Sequence, residues 1–222
     1  MHTFEVKTEL VTVYDRGPDS RRLAEMLAIP PGPKRHGRID KCECRFEVPP
    51  GQSALITGPS GSGKSTLLGL LQQCVEPAER TVAGQSEICE RSAVAHLQGH
   101  LVSRIRSLRQ AGLTDGRTLL RRGTDLSPGE QWRLRLAMAL HARPRFLFVD
   151  DFCMSLTPLV AATIAHEVAD YAAENNCIVV AASPRTDFAC DLNPYVLVCM
   201  EPGGSIDVHY RDYTRSRRLA VC

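Results

Sequence analysis

Gly58-Pro59-Ser60-Gly61-Ser62-Gly63-Lys64-Ser65-Thr66 is the stretch whose reading decides the fold. It satisfies G-x-x-x-x-G-K-[ST], follows the short apolar run Ser53 to Thr57, and opens a helical pattern from Lys64 to Cys74. Glycines there let successive backbone N–H groups point inward at phosphate oxygens, and a helix N-terminus adds its partial positive charge. In that geometry Lys64 reaches the β- and γ-phosphates of a nucleoside triphosphate, and the Ser65 hydroxyl meets Mg²⁺. A chance glycine-rich turn is the alternative, but it would have to fall between a strand and a helix in the same way.

Downstream, Phe146-Leu147-Phe148-Val149-Asp150-Asp151 reads as a buried strand ending in two carboxylates. Alone it is a weak signal, since many buried strands end in aspartate. Paired with the glycine loop it becomes a Walker B candidate, with Asp150 holding Mg²⁺ through water and Asp151 at the position that polarises an attacking water. Just before it, Leu126-Ser127-Pro128-Gly129-Glu130-Gln131 reads as a capping box, with Ser127 as N-cap, Pro128 at N1 and Glu130 at N3.

At these residues the chain resembles the ABC-type ATPases, whose signature reads L-S-G-G-Q. The order of phosphate loop, signature and Walker B strand is that family's. The resemblance implies binding and hydrolysis of Mg-ATP. It also implies a head-to-tail homodimer in which Ser127, Gly129 and Glu130 face the other subunit's Gly58 to Thr66 loop. A finer likeness, through Ala111 to Arg117, Leu126 to Leu140, Asp150-Asp151-Phe152 and Ala182 to Arg185, is to ABC ATPases often fused to a predicted acetyltransferase domain. The 222 residues are all consumed by the ATPase, so no acetyltransferase segment is expected.

Several family positions are altered. Asp151 stands where a catalytic glutamate is usual, Ser183 at the switch histidine, Thr157 at the D-loop aspartate and Pro128 at the first signature glycine. These changes point to slow hydrolysis, or to a binding switch without turnover. The Q-loop glutamine, which would touch Mg²⁺ or the attacking water, is assigned to Gln98 after a strand over Ala93 to Leu97, with Gln85 and Gln110 not far away. Tyr14 is a candidate for stacking on adenine or else a core tyrosine; aligned on the finer subgroup the aromatic position falls near Leu27.

The region from Gln98 to Ser127 is short for a family helical subdomain, which weakens a third reading, the ATPase subunit of a transporter. Eight arginines from Arg104 to Arg135 stand against Asp115, Asp125 and Glu130. Such a run is a solvated helical face, or a site for an acidic protein or nucleic-acid partner; no interleaved aromatics support base stacking.

Elsewhere the composition is that of a globular protein, with 43% hydrophobic and 23% charged residues and a net charge of +2. A bulk electrostatic grip on nucleic acid or membrane is not implied. No apolar run is long enough to span a membrane, and the N-terminus carries no secretory pattern, so a cytoplasmic protein is expected. Nine scattered cysteines, without C-x-x-C, read as free thiols rather than a zinc site. Cys42 and Cys44 share one strand face. Strands alternate with helices after Ser53, so the expected fold is α/β: a P-loop NTPase of ABC ATPase type with a mostly parallel sheet, an antiparallel β portion and a short helical subdomain. One domain over residues 1–222 is expected, with an N-terminal β portion and loop insertion (1–50), an abbreviated helical subdomain (99–127) and a basic tail (211–222).

Overall fold

Two periodicities divide the chain. Alternating residues form the strands β1 (His2–Thr12) and β2 (Arg38–Val48), separated in sequence by the helix α1 (Pro18–Met26). Further along, strands alternate with helices, and three of these strands are continuous apolar runs buried on both faces. The alternation begins with β3 (Ser53–Thr57), followed by α2 (Lys64–Gln73), β4 (Arg80–Ala83), α3 (Leu101–Gln110), α4 (Gly116–Leu120) and α5 (Pro128–His141). The chain continues through β5 (Phe146–Val149), α6 (Pro158–Asn175), β6 (Ile178–Ala182), α7 (Ala189–Leu192), β7 (Val196–Met200) and β8 (Ile206–Tyr210). This computed structural model describes residues 1–12, 17–26, 38–201 and 205–211.

β1 and β2 form an antiparallel pair, and the other six strands form one sheet in the order β4-β5-β6-β3-β7-β8. The first five of these run parallel, and β8 closes the edge as a hairpin antiparallel to β7. The pleat sends alternate residues to opposite layers. Leu55, Leu147, Val149, Val179 and Ala181 pack beneath α5 and α6, while Ala54, Ile56, Phe146, Phe148 and Val180 face α2 and the β1–β2 pair. Phe4 stands edge-on to Phe146 and Phe148 at 6.2 and 6.3 Å, which docks the antiparallel pair on the sheet. Each fully buried phenylalanine contributes roughly 1.5–3 kcal/mol. Cys42 and Cys44 do share the buried face of β2, and burial pushes the Cys44 thiol up to about 12.

One expected element is corrected. Ala93 to Leu97 is not a strand; Ala93–His96 forms a 3₁₀ turn. Its backbone is committed elsewhere, since the Ala93 N–H donates to the Arg121 carbonyl and Ser92 bridges Arg122. The sheet edge is taken instead by β4, four half-buried residues paired with β5. The short helix α4, capped by Asp115 through the Thr118 N–H, was also not expected.

Candidate functional site

The site forms where the parallel strands end. Ile56 lies opposite Ala182, Val149 opposite Ala181, and Ala83 opposite Val149. The residues that follow these strands, Gly58, Ser183, Asp150 and Gly84, therefore emerge along one edge. In open parallel sheets this edge is where ligands bind.

The Gly58–Thr66 loop leaves β3 and ends at α2. Gly58, Gly61 and Gly63 have φ of 145°, 80° and 96°, which non-glycine residues rarely adopt. Lys64 is 8% exposed, and its ammonium donates to the Pro59 carbonyl at 2.7 Å, holding the side chain along the loop. The Ser62 N–H also donates to Pro59, at 3.2 Å. The Ser62 hydroxyl is buried without a hydrogen-bond partner, and a Cβ on Gly61 would meet nothing within 4 Å. Open space beside an unsatisfied hydroxyl and a lysine ammonium suits phosphate oxygens. Ser65 and Thr66 are exposed at the first turn of α2. A Cβ on Gly58 would stand 2.1 Å from the Met200 carbonyl oxygen, where β7 ends. Gly58→Ala is therefore expected to part the loop from β7, lowering the melting temperature by several degrees together with nucleotide affinity; an unchanged melting curve refutes this close approach.

After β5, the Asp150 Oδ1 accepts the Asp151 N–H at 3.0 Å, leaving its second oxygen for another partner. Asp151 is exposed in the left-handed region (φ 47°), which aspartate tolerates better than most residues. Ser65 and Asp150 are hard oxygen donors of the kind Mg²⁺ takes beside phosphate. Ser183 follows β6 and is fully buried. Its N–H continues the ladder to Ile56 at 2.9 Å, and its hydroxyl accepts the Arg185 N–H at 3.2 Å.

Gln98 does not follow a sheet strand, because the strand on which its assignment rested is a 3₁₀ turn. It is exposed, and its carbonyl accepts from His141 Nε2 at 2.7 Å. The glutamine that follows a parallel strand beside β5 is Gln85, two residues beyond β4. A strand of four residues with a mixed pattern gave no signal for it.

Ser127 caps α5 in a reciprocal box: Glu130 Oε2 accepts both the Ser127 N–H and hydroxyl at 2.8 Å, and the Glu130 N–H donates to Ser127 Oγ at 3.3 Å. Bonds from the Ser127 N–H and then its hydroxyl hold the Glu130 carboxyl below its ordinary range.

The model of the family described as ABC transporter matches residues 43–153, half of the chain. The chain belongs to the ABC transporter ATPase family. It is an ATP-binding cassette ATPase, with the α/β fold of that family. It is 30% identical over 184 residues to the lipoprotein-releasing system ATP-binding protein of Rhodopirellula baltica, covering 67% of this chain and 80% of the relative. The phosphonates import ATP-binding protein of Hydrogenovibrio crunogenus is 23% identical over 204 residues, covering 73% of this chain and 75% of the relative. Among solved structures, the dimeric post-hydrolysis state of an ATP-binding cassette bound to ADP and phosphate superposes with a TM-score of 0.68. It has 16% identity and covers 96% of this chain and all of that one.

Within this cassette the arginine run is divided. Arg106 pairs with Glu174 at 3.0 Å, and Arg121 reaches Glu130 at 3.7 Å and the Asp125 carbonyl. Arg106, Arg109 and Arg133 line a groove whose other wall carries Glu167, Asp170 and Glu174. Tyr14 and Leu27, the two positions considered for the adenine contact, lie outside the described residues, as does the tail beyond Arg211. Among the described residues, no helix is long and apolar enough to cross a membrane.

Proposed function

We propose that this chain is a slow, cytoplasmic Mg-ATPase whose nucleotide cycle drives head-to-tail dimerisation and engagement of a protein partner. The observation that carries the reading is the convergence of the Gly58–Thr66 loop, Asp150 and Asp151 on the carboxyl edge of one parallel sheet. Lys64 and the loop N–H groups hold the phosphates. Ser65 and Asp150 hold Mg²⁺, which neutralises charge on the phosphate oxygens when bound. Asp151 orients water, and Gln85 replaces Gln98 as the glutamine at the sheet edge. Ser183, being buried, acts by holding its turn rather than by touching phosphate. The short carboxylate of Asp151, with Thr157, Ser183 and Pro128 in place of the family residues, supports slow turnover over the rival reading of a switch without hydrolysis.

The partner is a protein rather than nucleic acid, because the arginine groove carries three carboxylates that would repel a phosphate backbone. A permease is the form such a partner takes if the import and release systems named for the relatives extend to this chain; the protein then fractionates with membranes in its native cells. The finer likeness to acetyltransferase-linked ABC ATPases rests on the four segments named for it. The domain reading, one cassette over residues 1–222 with a short helical subdomain at 99–127, is supported by the continuous six-stranded sheet.

The dimer is the testable core. At the start of α5 the Gly129 N–H lies outside the capping box, and the Ser127 hydroxyl would exchange its bond to Glu130 for one to a γ-phosphate on a second subunit. Light scattering is expected to show a dimer with MgATP, trapped by Asp151→Asn and lost in Ser127→Arg. A monomer under every nucleotide condition would remove the reading.

A further inference from the structure

The turn after β6 reaches back to the turn after β5 through one side chain. Arg185 Nη1 donates to the carbonyls of Cys153 at 2.9 Å and Leu156 at 2.5 Å, with Met154 at 3.5 Å. Its Nε and Nη2 form a fork on the Asp187 carboxylate at 3.0 and 2.6 Å. The guanidinium is thus held on one side by a carboxylate of its own turn and spends its remaining donors on the neighbouring loop. The pair raises the Arg185 pKa and lowers that of Asp187, each chiefly through their shared hydrogen bonds.

The loop it grips is unusual. Asp151 and Cys153 both sit in the left-handed region, at φ 47° and 58°. Two such residues in one turn persist only where surrounding contacts over-determine them. One set of contacts is apolar: Phe152 is fully buried between Trp132 of α5, at 5.9 Å, and Phe188, at 5.2 Å. The Phe152 N–H adds a bond to the Ala182 carbonyl at 2.8 Å. Arg185 supplies the polar set. The far end of the same loop seats α5, since a Cβ on Gly129 would lie 3.5 Å from Leu156 Cδ2 and 3.6 Å from the Ser155 carbonyl.

We infer that Arg185, held by Asp187, is a positioning residue that fixes residues 151–156 between the hydrolytic carboxylate and the Ser127–Gly129 helix start. Through this one clamp the placement of Asp151 on its own nucleotide is tied to the placement of Ser127 on the partner's. The inference rests on the proposed ATPase dimer. Arg185 touches no phosphate, so its loss acts on turnover and dimerisation and leaves the first binding step in place. A planar fork cannot be replaced by an ammonium, whose three donors radiate from one point and cannot grip Asp187 with two nitrogens while a third reaches the two carbonyls.

The test compares wild type, Arg185→Lys and Arg185→Met in the full chain, by calorimetric MgATP affinity, steady-state phosphate release and light scattering with ATP. The expected pattern is an affinity and KM within about twofold of wild type, a kcat lower by about tenfold or more, and a reduced ATP-dependent dimer. Arg185→Lys falls between wild type and Arg185→Met, and decides the question if the methionine variant does not fold. Faster amide exchange confined to residues 152–156 in the lysine variant is the accompanying signature. Wild-type kcat and dimer in Arg185→Lys, even with a lowered melting temperature, overturn the inference and leave the ATPase reading standing. A wild-type chain that binds no MgATP overturns both.

Discussion

Lys64→Ala is expected to weaken MgATP binding by about 100-fold. Hydrogen bonds to a charged group are worth about 1.5–3 kcal/mol each, and about 1.4 kcal/mol is a factor of ten in affinity. An ammonium between two phosphates makes more than one such bond. The ammonium donates to the Pro59 carbonyl at 2.7 Å, which holds the side chain along the loop. The fold should barely respond, because α2 is held by Leu67, Leu68 and Leu71 rather than by the lysine. Calorimetric titration with MgATP, alongside a thermal melt, separates the two effects. Affinity unchanged in the alanine variant would mean that nucleotide does not bind at this loop. Affinity and melting temperature lost together would mean that the lysine serves the fold.

How much of this was legible in the sequence depended on whether a local pattern carried the information. The helix Pro158–Asn175 begins with proline at its first turn and ends before Asn176 in the left-handed region, so both boundaries could be read directly. β3, β5 and β6 are wholly buried, and continuous apolar runs announced them. β4 is different. Its four residues Arg-Thr-Val-Ala carry no period, and only pairing with β5 makes them a strand. Ala93 to Leu97 had the better composition but spends its backbone on Arg121 and Arg122. As a result the glutamine that follows a strand beside β5 is Gln85 and not Gln98.

The site divides in the same way. Gly58 to Thr66, Asp150 and Ser127 announce themselves because each lies in a motif of contiguous residues. The Arg185–Asp187 clamp was not legible, because its targets are backbone carbonyls about thirty residues away in sequence, and a carbonyl has no sequence signature. Ser183 shows the same limit: it stands at the end of β6, but nothing in the sequence says that its hydroxyl is fully buried and accepts the Arg185 N–H.

Asp151→Asn is expected to lower kcat by about 100-fold or more, with KM nearly unchanged, since a positioned general base contributes typically 10²–10⁴-fold. Asparagine is the informative choice because of the backbone. At φ 47° Asp151 occupies a conformation that asparagine tolerates equally well, so the amide keeps shape and loop geometry and removes only the charge. The bond to Asp150 Oδ1 uses the Asp151 backbone N–H rather than its side chain and survives the change. Asp151→Glu carries a different balance. The longer carboxylate gains a methylene of reach toward the water, but glutamate in the left-handed region costs of order 1–2 kcal/mol, which offsets stability or displaces the loop. A rise in kcat for the glutamate variant would identify reach as the limiting factor in a weakened site. A fall would mean that the turn has been re-tuned around aspartate, its backbone and carboxylate selected together. Steady-state phosphate release from the three proteins distinguishes these outcomes. Turnover in Asp151→Asn equal to wild type would remove Asp151 from the chemistry altogether, and the wild-type rate would then have to come from the electrostatics of Lys64 and the metal alone.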